Sequence, residues 1–210
     1  MLEGKLTVGE ESLHVILSVK VLAPTAFTRS LADSSHQDLT MTQNDILRRI
    51  RYILDLEDSK MISIFSLAGL EVTRAQISDW LKKDDDPAYQ QLSDLELATF
   101  LNGLIVEKRG KKDGPQPAPE QKLNNNIIFM KLKIAFNLKA EDTLALLALN
   151  DLSISKHELS AFFRKPGHKH HRACKDQVLR NFLKGLQLKY RGPYENLPLS
   201  VRPLVGNRPR

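Results

Sequence analysis

Apolar residues recur at spacings near three and four along residues 41–110, and again along residues 123–192. This periodicity is typical of helices, and no alternating strand pattern competes with it inside these two segments. The pattern therefore predicts four helices in each segment. The apolar positions assigned to them in the first segment are Ile46, Leu47, Ile50, Ile53 and Leu54; Ile62, Phe65 and Leu67; Ile77, Trp80 and Leu81; and Leu97, Phe100, Leu101 and Leu104.

The two segments align with each other without a gap at an offset of 82 residues, from 44–110 to 126–192. The strongest block closes each segment, where FLNGLIVEKRG is followed 82 residues later by FLKGLQLKYRG. An internal match of this length indicates a duplication, and a duplication suggests pseudo-twofold symmetry. The matched apolar positions are Ile128, Phe129, Leu132, Ala135 and Phe136; Leu144, Leu147 and Leu149; Leu159, Phe162 and Phe163; and Leu179, Phe182, Leu183 and Leu186.

The third helix of each unit carries the clearest start signal. Thr73 with Gln76, and Ser155 with Glu158, have the spacing of a capping box, in which the hydroxyl and the longer side chain each bond a free backbone N–H. The second helix is expected to end near Gly69 in the first unit and near Asn150 in the second, since both residue types tolerate positive φ. The helix, short turn and capped helix together resemble a helix-turn-helix.

These signals predict an all-α protein of two tandem homologous four-helix units with a helix-turn-helix-like core. The units span residues 41–110 and 123–192, and the linker between them, residues 111–122, holds three prolines that favour an extended spacer. Residues 1–40 are interpreted as an N-terminal extension, either disordered or with an edge strand in the run LHVILSVKVLAP. The proline-containing residues 193–210 are interpreted as an extended or disordered tail.

The composition of the chain argues against a membrane-spanning, secreted or disulfide-linked protein. The chain has 210 residues, 41% of them hydrophobic, but no apolar run reaches the length of about 18 residues that is needed to span a bilayer. The N-terminus lacks the basic and apolar regions of a secretory leader, and the single cysteine, Cys174, excludes an internal disulfide framework. We therefore expect a cytoplasmic protein without membrane contact.

The overall charge of +6 is unevenly distributed between the two units. Residues 41–110 hold 9 Lys and Arg against 12 Asp and Glu, a net of −3. Residues 123–192 hold 13 against 5, a net of +8. A polyanionic partner should therefore prefer the second unit.

Several stretches together resemble one protein family. They are MTQNDILRRIRYILDL and WLKKDDDPAY in the first unit, and KHELSAFFRKPGHK and FLKGLQLKYR in the second. The combination is similar to the YehS-like family of small bacterial proteins, whose domain occurs in two copies per chain and whose function is uncharacterised. The resemblance covers about residues 41–191 and supports the duplicated fold, but it supplies no catalytic or binding residues.

The exposed face of each capped helix is a candidate nucleic-acid surface. If the apolar positions are buried, then Arg74, Ser78 and Lys82 form an outward stripe at four-residue spacing, and Lys156, Ser160 and Arg164 repeat it. Basic and hydroxyl side chains suit phosphate contacts better than base reading. The alternative is that these residues simply solvate a surface helix, and Asp84, Asp85 and Asp86 would repel a phosphate backbone in the first unit.

The second unit replaces that acidic run with the loop RKPGHKHHRACK, residues 164–175, which is the strongest nucleic-acid candidate in the chain. Its histidines and Cys174 are zinc ligand types, but they lack the paired spacing of zinc modules, so a solvated basic loop is favoured over a metal site. No cofactor is predicted. The residues assigned to binding are Lys165, His168, Lys169, His170, His171 and Arg172, together with Arg74, Lys82, Lys156, Ser160 and Arg164.

No phosphate-cradling glycine loop, nucleophile elbow or other catalytic constellation is present in the sequence. The favoured function is a non-enzymatic module that associates with DNA or RNA through its second unit. The alternative is a protein-interaction or structural module without nucleic acid. A continuous positive surface would favour the first, and an exposed apolar groove between the units would favour the second. The oligomeric state is not predicted.

Overall fold

The computed structural model describes residues 40–192, and over this range the regular secondary structure consists of α-helices, which confirms the predicted all-α fold class. The interpretations of residues 1–40 and of residues 193–210 fall, apart from Thr40, outside the described residues. Eight helices form in the order expected from a duplicated four-helix unit. They are α1 (Gln43–Leu54), α2 (Asp58–Leu67), α3 (Arg74–Leu81) and α4 (Asp94–Arg109), then α5 (Asn125–Ala135), α6 (Ala140–Ala148), α7 (Lys156–Phe162) and α8 (Asp176–Arg191).

Both predicted capping boxes form. The Thr73 hydroxyl accepts the backbone N–H of Gln76 at 3.2 Å, and the Gln76 side chain accepts the backbone N–H of Thr73 at 2.9 Å. Ser155 and Glu158 make the same pair of bonds at 3.1 and 2.9 Å. Because α3 and α7 have only 8 and 7 residues, these bonds and tertiary packing hold them, since isolated helices of that length are marginal in water.

Aromatic rings form the centre of each unit. In the first unit the Phe65 ring lies 5.4 Å from Trp80 and 5.0 Å from Phe100, centroid to centroid. In the second unit the Phe129 ring lies 6.3 Å from Phe162 and 4.4 Å from Phe182. Trp80 and Phe162 are buried, as their positions on the apolar stripe predict. These rings are therefore core residues and not stacking platforms for bases.

Two of the predicted apolar positions, Leu67 and Leu149, do not belong to the core. They are 41% and 55% exposed, although both were assigned to the buried face of the second helix. Leu67 comes two residues after the buried Phe65, which places it about 200° around the helix. The second helix of the second unit ends near Asn150 as expected, but the positive φ found at Gly69 in the first unit is adopted by Asp151 and not by Asn150.

Glycine in the interior of α4 and α8 allows a close helix crossing. A Cβ atom on Gly103 would lie 1.8 Å from the carbonyl oxygen of Ile64 in α2. The equivalent Gly185 would place its Cβ 2.2 Å from the carbonyl oxygen of Leu146 in α6. The longest helix of each unit therefore packs directly on the backbone of the second helix, and only a residue without a side chain fits at the crossing.

The two units contact each other reciprocally. Helix α4 packs on α5 of the second unit, and its equivalent α8 packs on α1 of the first. The backbone N–H of Met41 donates to Asp176 at 2.9 Å, and the equivalent N–H of Leu123 donates to Asp94 at 3.0 Å. Because each contact has its counterpart with the units exchanged, the interface has the self-complementary form of a twofold dimer within one chain.

The proline-containing linker, residues 111–122, forms no helix and is fastened to both units. The Asn102 side chain in α4 donates to the backbone oxygen of Pro117 at 3.2 Å. Glu120 pairs with the buried Lys131 of α5 at 2.9 Å. The linker is therefore held along the α4 and α5 interface and does not act as a free spacer.

Candidate nucleic-acid interface

The loop after α3 and the loop after α7 have the same backbone hydrogen bonds. In the first unit, bonds run from Asp86 N–H to Lys83, from Tyr89 N–H to Asp86, and from Gln90 N–H to Asp79. In the second unit the equivalent bonds run from His168 N–H to Lys165, from His171 N–H to His168, and from Arg172 N–H to Ala161. The two loops therefore share one pattern of backbone hydrogen bonds, although Gly167 has a positive φ and the equivalent Asp85 does not, and they present different sets of side chains.

An asparagine of the first helix holds each of these loops. The Asn44 amide donates to the backbone oxygens of Trp80 and Gln90, both at 2.8 Å, and accepts the N–H of Leu92 at 2.9 Å. Asn126 makes the matching bonds in the second unit, and its three partners are the oxygens of Phe162 and Arg172 and the N–H of Cys174. The sequence had shown this pair as identical, but the periodicity gave no role for a polar residue there.

Lys82 of the first loop, and Arg48 beside it, are paired with carboxylates of the same unit. Lys82 contacts Asp79 at 2.7 Å, and this hydrogen bond raises the pKa of Lys82. Arg48 of α1 contacts Asp84 at 3.4 Å and also donates to the backbone oxygen of Lys82. Asp85 and Asp86 add further negative charge on the same loop. The predicted first-unit contacts at Lys82 are therefore electrostatically compensated.

The basic loop, which we define as residues 164–175, has the opposite character. Arg164 is half-buried and Lys165 and Lys169 are exposed, and within residues 40–192 none of the three contacts a carboxylate. Arg172 is separated from Glu158 by 3.9 Å, at the limit of an ion pair. Arg164, Lys165 and Lys169 thus lack the close carboxylate partners that Lys82 and Lys156 have.

The residues of the predicted helical stripe are partly separated. Helices α3 and α7 end at Leu81 and Phe162, so Lys82 and Arg164 lie beyond the helices and not on their outward faces. Arg74, Lys156 and Ser160 are exposed on the helices. Lys156 pairs with Glu141 at 2.5 Å, and this hydrogen bond lowers the pKa of Glu141. The helix face is consequently less positive than the sequence suggested.

The histidines lie together on the outside of the loop, away from Cys174. The His170 ring centroid is 5.7 Å from His168 and 6.2 Å from His157. His157 and His170, together with Lys169, His171 and Arg172, border a small cavity of about 180 Å³. In the described part of the chain, no group of three or more His, Cys, Asp or Glu side chains is arranged to hold a metal ion.

Cys174, near the end of the basic loop, is buried, and burial together with the charge of Asp176 raises the pKa of its thiol to about 12. At pH 8 only about one thiol in ten thousand would be ionised, so we expect iodoacetamide to alkylate the native protein at a small fraction of the rate in denaturant. Mass spectrometry at timed intervals measures both rates. Rapid alkylation of the folded protein would place Cys174 at the surface with the histidines.

None of the helices in residues 40–192 combines the length and the hydrophobicity that a membrane crossing requires. The family described as "Protein of unknown function (DUF1456)" matches the chain twice, over residues 43–110 and 125–192. The chain is also 47% identical over 147 residues to "Uncharacterized protein YehS" of Escherichia coli (strain K12), a match that covers 70% of this chain and 94% of that protein. No solved structure matches the chain. The resemblance to the YehS-like family is thereby confirmed.

Proposed function

We propose that this chain, which belongs to the family of proteins of unknown function DUF1456, binds nucleic acid through the basic loop of its second repeat. The observation that carries the proposal is the contrast between two loops that share their backbone hydrogen bonds but differ in charge. The first loop holds Asp84, Asp85 and Asp86, and at the same three places the second holds Pro166, Gly167 and His168. The negative side chains of the first loop therefore compensate its lysines, whereas the second loop keeps its positive charge.

The chemistry of the loop suits phosphate contacts. Gly167 has a φ of 86° and follows Pro166 in a turn closed by a 3.1 Å bond from His168 N–H to the Lys165 oxygen. This is the arrangement of a type II turn, which fixes where the neighbouring cations lie. Contacts to phosphate hold a protein on nucleic acid without reading its sequence. We therefore propose a non-enzymatic protein with little base preference, and we assign the contacts to the loop more than to the α7 face.

The proposal predicts a steep dependence of binding on salt. Each phosphate neutralised on duplex DNA contributes about −0.9 to the slope of log K against log salt concentration. Changing both Arg164→Gln and Lys165→Gln should therefore flatten the slope by up to about two units. Fluorescence anisotropy with a generic duplex and a generic single strand, measured across a salt series, gives these slopes.

The chain supplies a matched control at the equivalent positions. Lys82→Gln with Lys83→Gln removes the same number of charges from the same place on the first loop. This pair should change the slope much less, because Asp79 and the three following aspartates already compensate those lysines. Equal effects of the two pairs would contradict the assignment to the second repeat. No binding at low salt would reject the nucleic-acid proposal and favour a protein-interaction or structural module.

A further inference from the structure

A second candidate site, which is partly apolar where the basic loop is charged, lies between the two repeats and the linker. It is a cavity of about 660 Å³, a size within the range of about 300–1,000 Å³ that is usual for ligand pockets. Leu67, Val106 and Ile134 contribute apolar surface, and Leu67 and Ile134 are 41% and 43% exposed. We call this space the linker cavity. Leu67, whose exposure contradicted its predicted burial, is one of the residues that border this cavity.

The rim of the linker cavity is positive. Arg109, Lys111 and Lys112 lie on it with a single acidic residue, Asp113. Within residues 40–192 none of these three cations makes an ion pair with a carboxylate. An apolar surface beside uncompensated cations is complementary to a molecule that has a hydrophobic body and an anionic head.

The duplication shows what the second copy of this arginine contacts. Arg191 is the equivalent of Arg109, and its Nη2 bonds Asp55 at 2.7 Å. Its Nε donates to the backbone oxygen of Tyr52 at 2.6 Å, and its guanidinium lies 4.9 Å from the Tyr52 ring centroid. Arg191 is therefore bound by a carboxylate and packed against an aromatic ring, and both belong to the chain itself.

At the first arginine these partners are replaced by other residues. Ile134 occupies the position equivalent to Tyr52, and Asn137 the position equivalent to Asp55. The backbone is unchanged, since Asp55 and Asn137 have φ values of 55° and 53°. The carboxylate is therefore lost while the arginine is kept, and an apolar side chain borders the cavity where the ring would stand.

We propose that the linker cavity binds a small organic carboxylate with an aliphatic tail. Its carboxylate bonds the Arg109 guanidinium, as Asp55 bonds Arg191, and its tail covers Leu67, Val106 and Ile134. Lys111 and Lys112 strengthen the attraction for the head group. This site uses none of the residues of the basic loop, so the two proposals stand or fall separately.

Octanoate tests the proposal in the full-length protein by isothermal titration calorimetry. Octan-1-ol has a tail of the same length without the charge, and acetate has the charge without the tail. We expect octanoate to bind at one site, and at least about tenfold more tightly than octan-1-ol, because the charge-assisted bond to Arg109 is lost with the alcohol. Acetate should not saturate. Equal affinity for octanoate and octan-1-ol, or no binding of octanoate, would overturn the proposal.

Two pairs of variants locate the site. Leu67→Glu places a negative charge in the cavity, whereas Leu149→Glu makes the same change at the equivalent exposed position of the second repeat, outside the cavity. Arg109→Gln removes the head-group contact, and Lys108→Gln removes a neighbouring exposed charge that does not border the cavity. We expect octanoate to bind about tenfold more weakly to the first member of each pair, and within about twofold of wild type to the second. If the control variants weaken binding as much, the linker cavity is not the site.

Discussion

Gly103→Ala is expected to destabilise the protein by about 3 kcal/mol or more, although alanine is the better helix former by about 1 kcal/mol. The added Cβ would lie 1.8 Å from the carbonyl oxygen of Ile64. A side chain could rotate away from such a contact, but a backbone oxygen inside α2 moves only if the helices separate. The core between them, where Phe65 and Phe100 are in contact, would then lose its packing. Urea unfolding followed by circular dichroism measures the loss.

The second repeat supplies both a replicate and a control for this prediction. Gly185→Ala should have a comparable effect, since its Cβ would lie 2.2 Å from the Leu146 oxygen. Lys184→Ala changes the neighbouring exposed residue on the same helix and should shift stability by no more than about 0.5 kcal/mol. If either glycine variant matched Lys184→Ala, the helices would not cross as closely as described.

The identity of the two glycines was visible in the sequence, but its reason was not. Periodicity reports which face of a helix is buried, and it predicted the eight helices and much of the core, but in α2 and α6 it missed the buried Met61, Ile64 and Leu146. It does not report how far apart two helix axes lie, and that distance is what requires Gly103 and Gly185. Leu67 and Leu149 were assigned to the buried face because apolar residues occur on more than one side of the second helix, so that its periodicity is ambiguous.

The candidate nucleic-acid surface was predicted from charge, and charge alone could not give its shape. The sequence located the excess of cations in the second repeat and the compensating aspartates in the first. The predicted stripe included Lys82 and Arg164 because the helix was assumed to continue through them. Helices α3 and α7 end before these two residues. The sequence also could not show that Lys156 is paired with Glu141, since that contact joins two helices.

The linker cavity lay outside any prediction from the sequence. Arg109 and Arg191 are identical in the aligned repeats, so the sequence alone does not distinguish their environments. Their environments differ because each arginine faces residues of the other repeat, and those residues, Tyr52 with Asp55 and Ile134 with Asn137, have diverged. A difference of this kind becomes visible only when the reciprocal packing of the two repeats is known.

Asn44→Ala is expected to cost about 3–6 kcal/mol, because it leaves two backbone oxygens and one backbone N–H without their partners, at about 1–3 kcal/mol for each buried group. The Asn44 side chain is completely buried, and its bonds to Trp80, Gln90 and Leu92 close the loop after α3 onto α1. Urea unfolding monitored by Trp80 fluorescence measures this loss of stability, and Trp80 is one of the residues that Asn44 binds.

Asn126→Ala makes the same change in the second repeat and should cost less, about 1–3 kcal/mol, because Asn126 is only half-buried and water can replace part of what is lost. It should nevertheless weaken nucleic-acid binding, since the loop that carries Arg164 and Lys165 would lose its attachment to α5. Asn44→Ala, tested at a temperature where it remains folded, should leave that binding nearly unchanged. If the two variants were equally stable, or if only Asn44→Ala impaired binding, the asparagines would not hold their loops as the structure indicates.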